Sequence, residues 1–168
     1  IRHNNDHVIS FDGKMLAISS HRDGLPGGGS TVYYLPITGG EPKLITDSTP
    51  SYLHGWNPNG KEVVYTAQRI SKAPVYNIYK KPIDGGPEVQ LTFNTKGLAD
   101  GPEYSPDGKW IYYCDTRSGT MQVWRMKPDG SGNEQLTFDE YNNWFPHISP
   151  DGKWMVMLSF PTTVNPGD

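Results

Sequence analysis

Cysteine is almost absent from this chain. Its one copy, Cys114, cannot close an intrachain disulfide or build a cysteine-based metal site, and its place in an apolar run marks a small buried side chain rather than a reactive thiol. Long hydrophobic runs are missing as well. None approaches the ~20 residues that span a bilayer, so no membrane insertion is expected. Nor is charge of one sign concentrated: 15 Lys and Arg stand against 18 Asp and Glu, a net −3 with the signs interspersed. That excludes the basic footprint of a nucleic-acid or membrane-surface binder. No amphipathic helical period is visible either. The chain opens on Ile1 without a methionine, so the native N-terminus is expected upstream, and the lack of a visible leader leaves export, and with it the periplasm, open.

What the chain does have is a repeat. Ser105-Pro106-Asp107-Gly108-Lys109-Trp110 returns as Ser149-Pro150-Asp151-Gly152-Lys153-Trp154. Weaker copies stand at Asn57-Pro58-Asn59-Gly60-Lys61 and Ser10-Phe11-Asp12-Gly13-Lys14, giving spacings of 47 (10 to 57), 48 (57 to 105) and 44 (105 to 149). Further landmarks keep step, including Pro36 to Gly40, Pro82 to Gly86 and Lys127 to Gly130, followed by Leu44-Ile45-Thr46, Leu91-Thr92-Phe93 and Leu136-Thr137-Phe138. Self-similarity at such a period is the signature of repeat architectures.

Each motif reads as a tight turn. Proline presets φ, Asp suits the next position, and Gly takes the left-handed conformation that ends a three-residue hairpin loop. The segments that follow, such as Trp110 to Cys114 and Glu62 to Thr66, are rich in the aromatic and β-branched residues that favour strands. One strand before the turn and three after it make four short antiparallel strands in ~40 to 45 residues, the blade of a β-propeller. The expected fold is therefore all-β, with blades at about 6–46, 53–93 and 101–138 and a half blade at 145–160. The whole chain, 1–168, is expected to be about three and a half blades of a larger ring. The missing blades would come from a longer chain or a second copy.

An apolar or aromatic residue, S-P-D-G-K, an aromatic-rich strand, a D-G or G-G turn and an L-T strand together resemble the repeat of TolB-like propellers. The propeller domains ahead of prolyl-oligopeptidase-type hydrolases share this repeat. The TolB resemblance implies six blades, a cell-envelope setting and a protein or peptide partner, with no cofactor.

Catalytic signatures fail one by one. No G-x-S-x-G elbow occurs, and Gly24 to Ser30 lacks the G-K-[ST] ending of a phosphate loop and reads as a plain loop between strands. Ser105, Ser149, Asp12, Asp107 and Asp151 repeat because the turn repeats. His7 and His54 fall three residues before their motifs and His147 two before. Histidines at equivalent places on innermost strands could converge on a metal, as in some propeller lyases of this architecture acting on acidic sugars, but satisfied polar residues on a wet channel wall are the favoured reading. Strict alternation along a strand would also turn His147 away from the other two.

What varies just before the turns points to binding. Ile9, Trp56, Tyr104 and Ile148 keep their type and read as packing. Asn4, Asn5, Asp6, His7, Tyr52, His54, Asp100, Glu103, Asn143, Trp144 and His147 vary and are expected at one channel mouth, where polar groups with Tyr52 and Trp144 suit a peptide or a sugar. A binding module is preferred. The alternative is the propeller part of an enzyme, either the hydrolase or the metal-dependent lyase.

Overall fold

The chain's computed structural model describes residues 3–21, 29–69 and 75–164, with side chains from Asp6 onward; most of the glycine-rich stretch 24–30 lies outside the described residues. Its framework starts from the repeated turn. The hydroxyls of Ser10, Ser105 and Ser149 each donate to the Asp two residues on, at 2.7 Å. They also accept the amides of Met15, Trp110 and Trp154. Each Asp in turn accepts the amide of the following Lys. In the second copy Asn59 accepts the Lys61 amide as the Asp does, whereas Asn57 accepts the amide of Asn59. The Ser105 hydroxyl and the Lys109 amide hold the Asp107 carboxyl down at about 2.

The glycine of each turn has positive φ, +69° at Gly108 and +71° at Gly152. A Cβ on Gly152 would meet nothing within 4 Å, so a substitution there tests the backbone alone. Gly108→Val and Gly152→Val are each expected to destabilise by about 1 to 3 kcal/mol, because a β-branched residue is forced into the left-handed region. Urea midpoints matching the parent would contradict the turn geometry.

These turns join the first and second strands of every sheet. The strands are β1 (His3–Ile9), β2 (Met15–Ser20), β3 (Thr31–Pro36), β4 (Lys43–Leu44), β5 (Ser51–Trp56), β6 (Glu62–Ala67), β7 (Asn77–Pro82) and β8 (Val89–Gln90). They continue as β9 (Ala99–Tyr104), β10 (Ile111–Asp115), β11 (Gln122–Met126), β12 (Glu134–Gln135), β13 (Tyr141–Ile148) and β14 (Met155–Pro161). Three antiparallel sheets run in chain order, β1 to β4, β5 to β8 and β9 to β12, and β13 pairs with β14 alone. No helix occurs among the described residues. The chain is thus all-β, three four-stranded blades and a two-stranded one.

The repeated threonine also has a structural task. Val32, Ile78 and Val123 donate their amides to the hydroxyls of Thr46, Thr92 and Thr137 at 2.8, 2.9 and 2.8 Å, which ties the outermost segment of each blade to its third strand.

Strand β6 shows how blades stack. Val63, Tyr65 and Ala67 join the cluster with Ala17 and Val32 of the first blade, whereas Val64 joins the cluster with Tyr104, Ile111 and Tyr113 of the third. Alternate side chains of one strand therefore serve two neighbours, as a strand covered on both faces requires. Trp56 is 1% exposed, and its Nε1 donates to the Val8 carbonyl across the first interface at 3.0 Å.

Exposure marks both ends of the arc. Trp154 and Val156 are 74% and 69% exposed, because no sheet among the described residues lies beyond β14. Ile9, 55% exposed, sits at the opposite end of the arc, where no sheet among the described residues lies beyond β1. Trp110 is partly covered instead by Arg125 and Lys127, with the lysine nitrogen 3.6 Å from its ring centroid.

Candidate functional site

The innermost strand of every blade carries an irregularity just before its turn. On β5, Leu53 faces Tyr65 and Gly55 faces Val64, leaving His54 as the extra residue. On β9 the register jumps between Asp100 and Glu103, on β13 between Trp144 and His147, and on β1 between His3 and His7. Such bulges re-aim side chains and recur near functional sites. Here they also reset the two-residue alternation, so counting along the strand does not tell which way His147 faces.

The bulges of β9 and β13 interlock. Gly101 has φ +60° and Phe145 φ +51°, a rare conformation for an aromatic residue. A Cβ on Gly101 would lie 2.7 Å from the Phe145 ring. Glycine is therefore required there by backbone and by space together. The Phe145 ring stacks on His54, with centroids 5.9 Å apart and planes at 24°.

Around this contact lies a cavity of about 580 Å³, lined among others by Asp6 of β1, Tyr52, His54 and Thr66 of the second blade, Asp100 of β9 and Phe145 of β13. Tyr76 and Leu98, joined by an isolated parallel bridge, complete the wall. The Tyr52 and Tyr76 rings are 6.3 Å apart. His54 Nε2 contacts Asp100 Oδ1 at 3.0 Å, and the Gly101 amide donates to the same oxygen. The Thr66 hydroxyl, on a residue 2% exposed, lies close enough to Asp100 to favour its charged form but makes no hydrogen bond of good geometry.

A second pocket of about 310 Å³ adjoins it, sharing His54 and lined also by His7, Glu103 and His147. His147 Nδ1 pairs with Glu103 Oε2. The expected mouth residues are thus brought together in two groups, Asp6, Tyr52, His54 and Asp100 in one cavity, and His7, Glu103 and His147 beside it. Asn4 and Asn5 belong to β1, but their side chains lie outside the described residues. Trp144 lines neither pocket; its ring packs 5.4 Å from Phe145, and its buried Nε1 has no hydrogen-bond partner. Asn143 is elsewhere, fully buried and donating to Gln122 and Asp139, which makes it a tie between blades. Among the described residues no three His, Cys, Asp or Glu side chains converge on a metal site.

Burial pushes the Asp6 carboxyl up, against the pull of His54. Burial would raise the Asp100 carboxyl, but the His54 charge and hydrogen bond, with Thr66 and the Gly101 amide, together hold it below its ordinary value. His54 itself is raised: burial would lower it, but the Asp100 charge and hydrogen bond, helped by Asp6, prevail. The Glu103 hydrogen bond raises His147 against its burial. A base with a raised folded value gives stability that is complete below its ordinary value and is lost as pH rises through the folded one. The histidine contribution should therefore fall as pH rises above the ordinary imidazole value of about 6.5, and His54→Gln should flatten that decline. Urea midpoints with the same pH slope in parent and variant would contradict the pairing.

Thr66, Tyr76 and Leu98 show that only part of the cavity comes from segments just before the turns. Comparison with known proteins gives the arrangement a context. The TolB beta propeller domain model matches residues 55–163. The uncharacterized protein Atu1656 of Agrobacterium fabrum is 48% identical over 96% of this chain and 53% of its own length. The uncharacterized peptidase YuxL of Bacillus subtilis is 27% identical over 88% of this chain and 20% of its own. The chain thus spans about half or less of these relatives. The solved structure of a putative TolB from Agrobacterium tumefaciens superposes with TM-score 0.88 at 47% identity, covering 96% of this chain and 56% of that one. A prolyl endopeptidase structure shares the fold alone, with TM-score 0.63 at 15% identity over 88% of this chain and 24% of that one. With the repeat, the blades and the family model in agreement, the chain belongs to the TolB β-propeller family.

Proposed function

We propose that this propeller is a non-enzymatic binding module that takes a protein or peptide partner at the channel mouth formed by β1, β5, β9 and β13. The supporting observation is the cavity of about 580 Å³, where aromatic rings and carboxylates from successive blades face one space. Apolar walls with a few fixed polar groups are the usual form of a ligand site, and loops and strand ends on a rigid propeller suit recognition. The remaining blades of a six-bladed ring would come from a longer chain, and the periplasmic side of the cell envelope is the proposed location, both on the strength of the family resemblance. A random-peptide display library offered to the full-length protein should yield retained peptides that Tyr52→Ala and Asp100→Asn release. Retention unchanged in both variants would overturn the mouth as the binding site.

The similarity to peptidase YuxL favours a second reading, a propeller that stands before a hydrolase. A fluorophosphonate probe on the full-length protein separates the two. Labelling of a serine outside residues 1–168 supports the hydrolase, and no labelling supports the binding module.

A further inference from the structure

Resting on that reading, we infer that the cavity at the mouth selects a basic group, an ammonium or guanidinium carried by the partner. Among the described residues the lining brings two carboxylates, Asp6 and Asp100, against a single imidazole, His54, and includes no lysine or arginine. His54 is already engaged with Asp100 Oδ1, so none of the described lining residues offers a free cation to an acidic group. A purely apolar group would strip water from both carboxylates and add no opposite charge, which is costly. A sugar needs several paired donors and acceptors, yet the described lining holds no Asn or Gln.

A basic group satisfies the same surface. The carboxylates supply the countercharge, and Tyr52, Tyr76 and Phe145 line the same space with aromatic rings, whose π-systems attract a cation. Thr66 supplies a further acceptor: its hydroxyl is buried in the cavity wall and has no hydrogen-bond partner. The wall is held in place before any ligand arrives, because Phe145 keeps its positive φ and stacks on His54. Burial pushes the Asp6 carboxyl up, and a cation in the cavity would draw it back to its charged form.

The test uses the full-length protein in EDTA at pH 7 and small blocked amino acids: the N-acetyl methylamides of lysine, arginine, norleucine, glutamine and glutamate, titrated by calorimetry. The lysine or arginine amide should bind about tenfold or more tightly than norleucine, and the glutamate amide should not bind. Asp6→Asn and Asp100→Asn should each weaken the basic probe, and the double variant should lose the preference altogether. Asp6→Asn is the safer variant for folding, since Asp100 also holds His54. No saturable binding of either basic amide, equal binding of norleucine, or a preference surviving in the double variant would overturn the inference. Library peptides without lysine or arginine held as tightly at the mouth would do so too while leaving the binding module standing. Basic amides that bind when no library peptide is retained would instead support the cation site and remove the partner-binding reading.

Discussion

Trp56→Ala should lower stability by about 3 to 5 kcal/mol, the usual cost of deleting a large aromatic side chain from a closed interior. Trp56 is 1% exposed and packs with Leu53, Val63 and Tyr65 against Ala17 and Val32 of the preceding blade. Its Nε1 also satisfies the Val8 carbonyl on β1. The alanine variant therefore opens a cavity and removes that hydrogen bond at the same interface. Trp56→Phe restores much of the volume but not the hydrogen bond, so it should fall between the two. Trp154→Ala provides the control, being a tryptophan at 74% exposure, and should change stability little. Urea unfolding with a constant slope reads all three. A Trp56→Ala midpoint no lower than that of Trp154→Ala would contradict the packing of the first two blades.

The second large effect is association. Trp154, Val156 and Leu158 are 74%, 69% and 59% exposed and, spaced by two, share one face of β14. Their counterparts after the third turn are Trp110, Tyr112 and Cys114. Trp110 and Tyr112 border a pocket closed from the other side by Ile148 and Pro150, and Cys114 is buried. In the third blade, then, the next blade covers this face; after β14 no described residue does. An apolar patch beside an open strand edge is a site of association. The 168-residue chain alone should show a mass by light scattering that rises with concentration, and Val156→Lys with Leu158→Glu should suppress the rise. A sharp monomer at every concentration with cooperative unfolding would contradict the exposed blade face.

Much of the fold was legible because its devices recur. The Ser-Pro-Asp-Gly letters at 105 and 149 encode a hydrogen-bonded turn, and the threonines at 46, 92 and 137 encode a lateral tie. Both lie within one blade and need no knowledge of the neighbouring blades. The candidate site was legible only in part. His54, Asp100, Tyr52 and Asp6 meet as expected from their place before the turns, but a bulge on each inner strand shifts which side chains face the channel. Alternation alone therefore misjudged His147, which lies beside His7 and His54. Asn143 is buried because its amide bonds Gln122 of the neighbouring blade, a pairing set by tertiary contact. Thr66 enters the cavity through its position opposite Tyr52, and Tyr76 and Leu98 through a bridge between segments far apart in sequence.

Hydrogen exchange of the full-length protein, with and without a peptide retained from the display library, tests the binding mouth most directly. A partner seated there should slow exchange at the amides of Asp6 to Val8, Tyr52 to Gly55 and Asp100 to Glu103, the bulged stretches of β1, β5 and β9. Exchange in β4, β8 and β12 at the outer rim should stay unchanged. Protection confined to the outer strands, with the three inner stretches unaltered, would contradict a mouth that binds the partner.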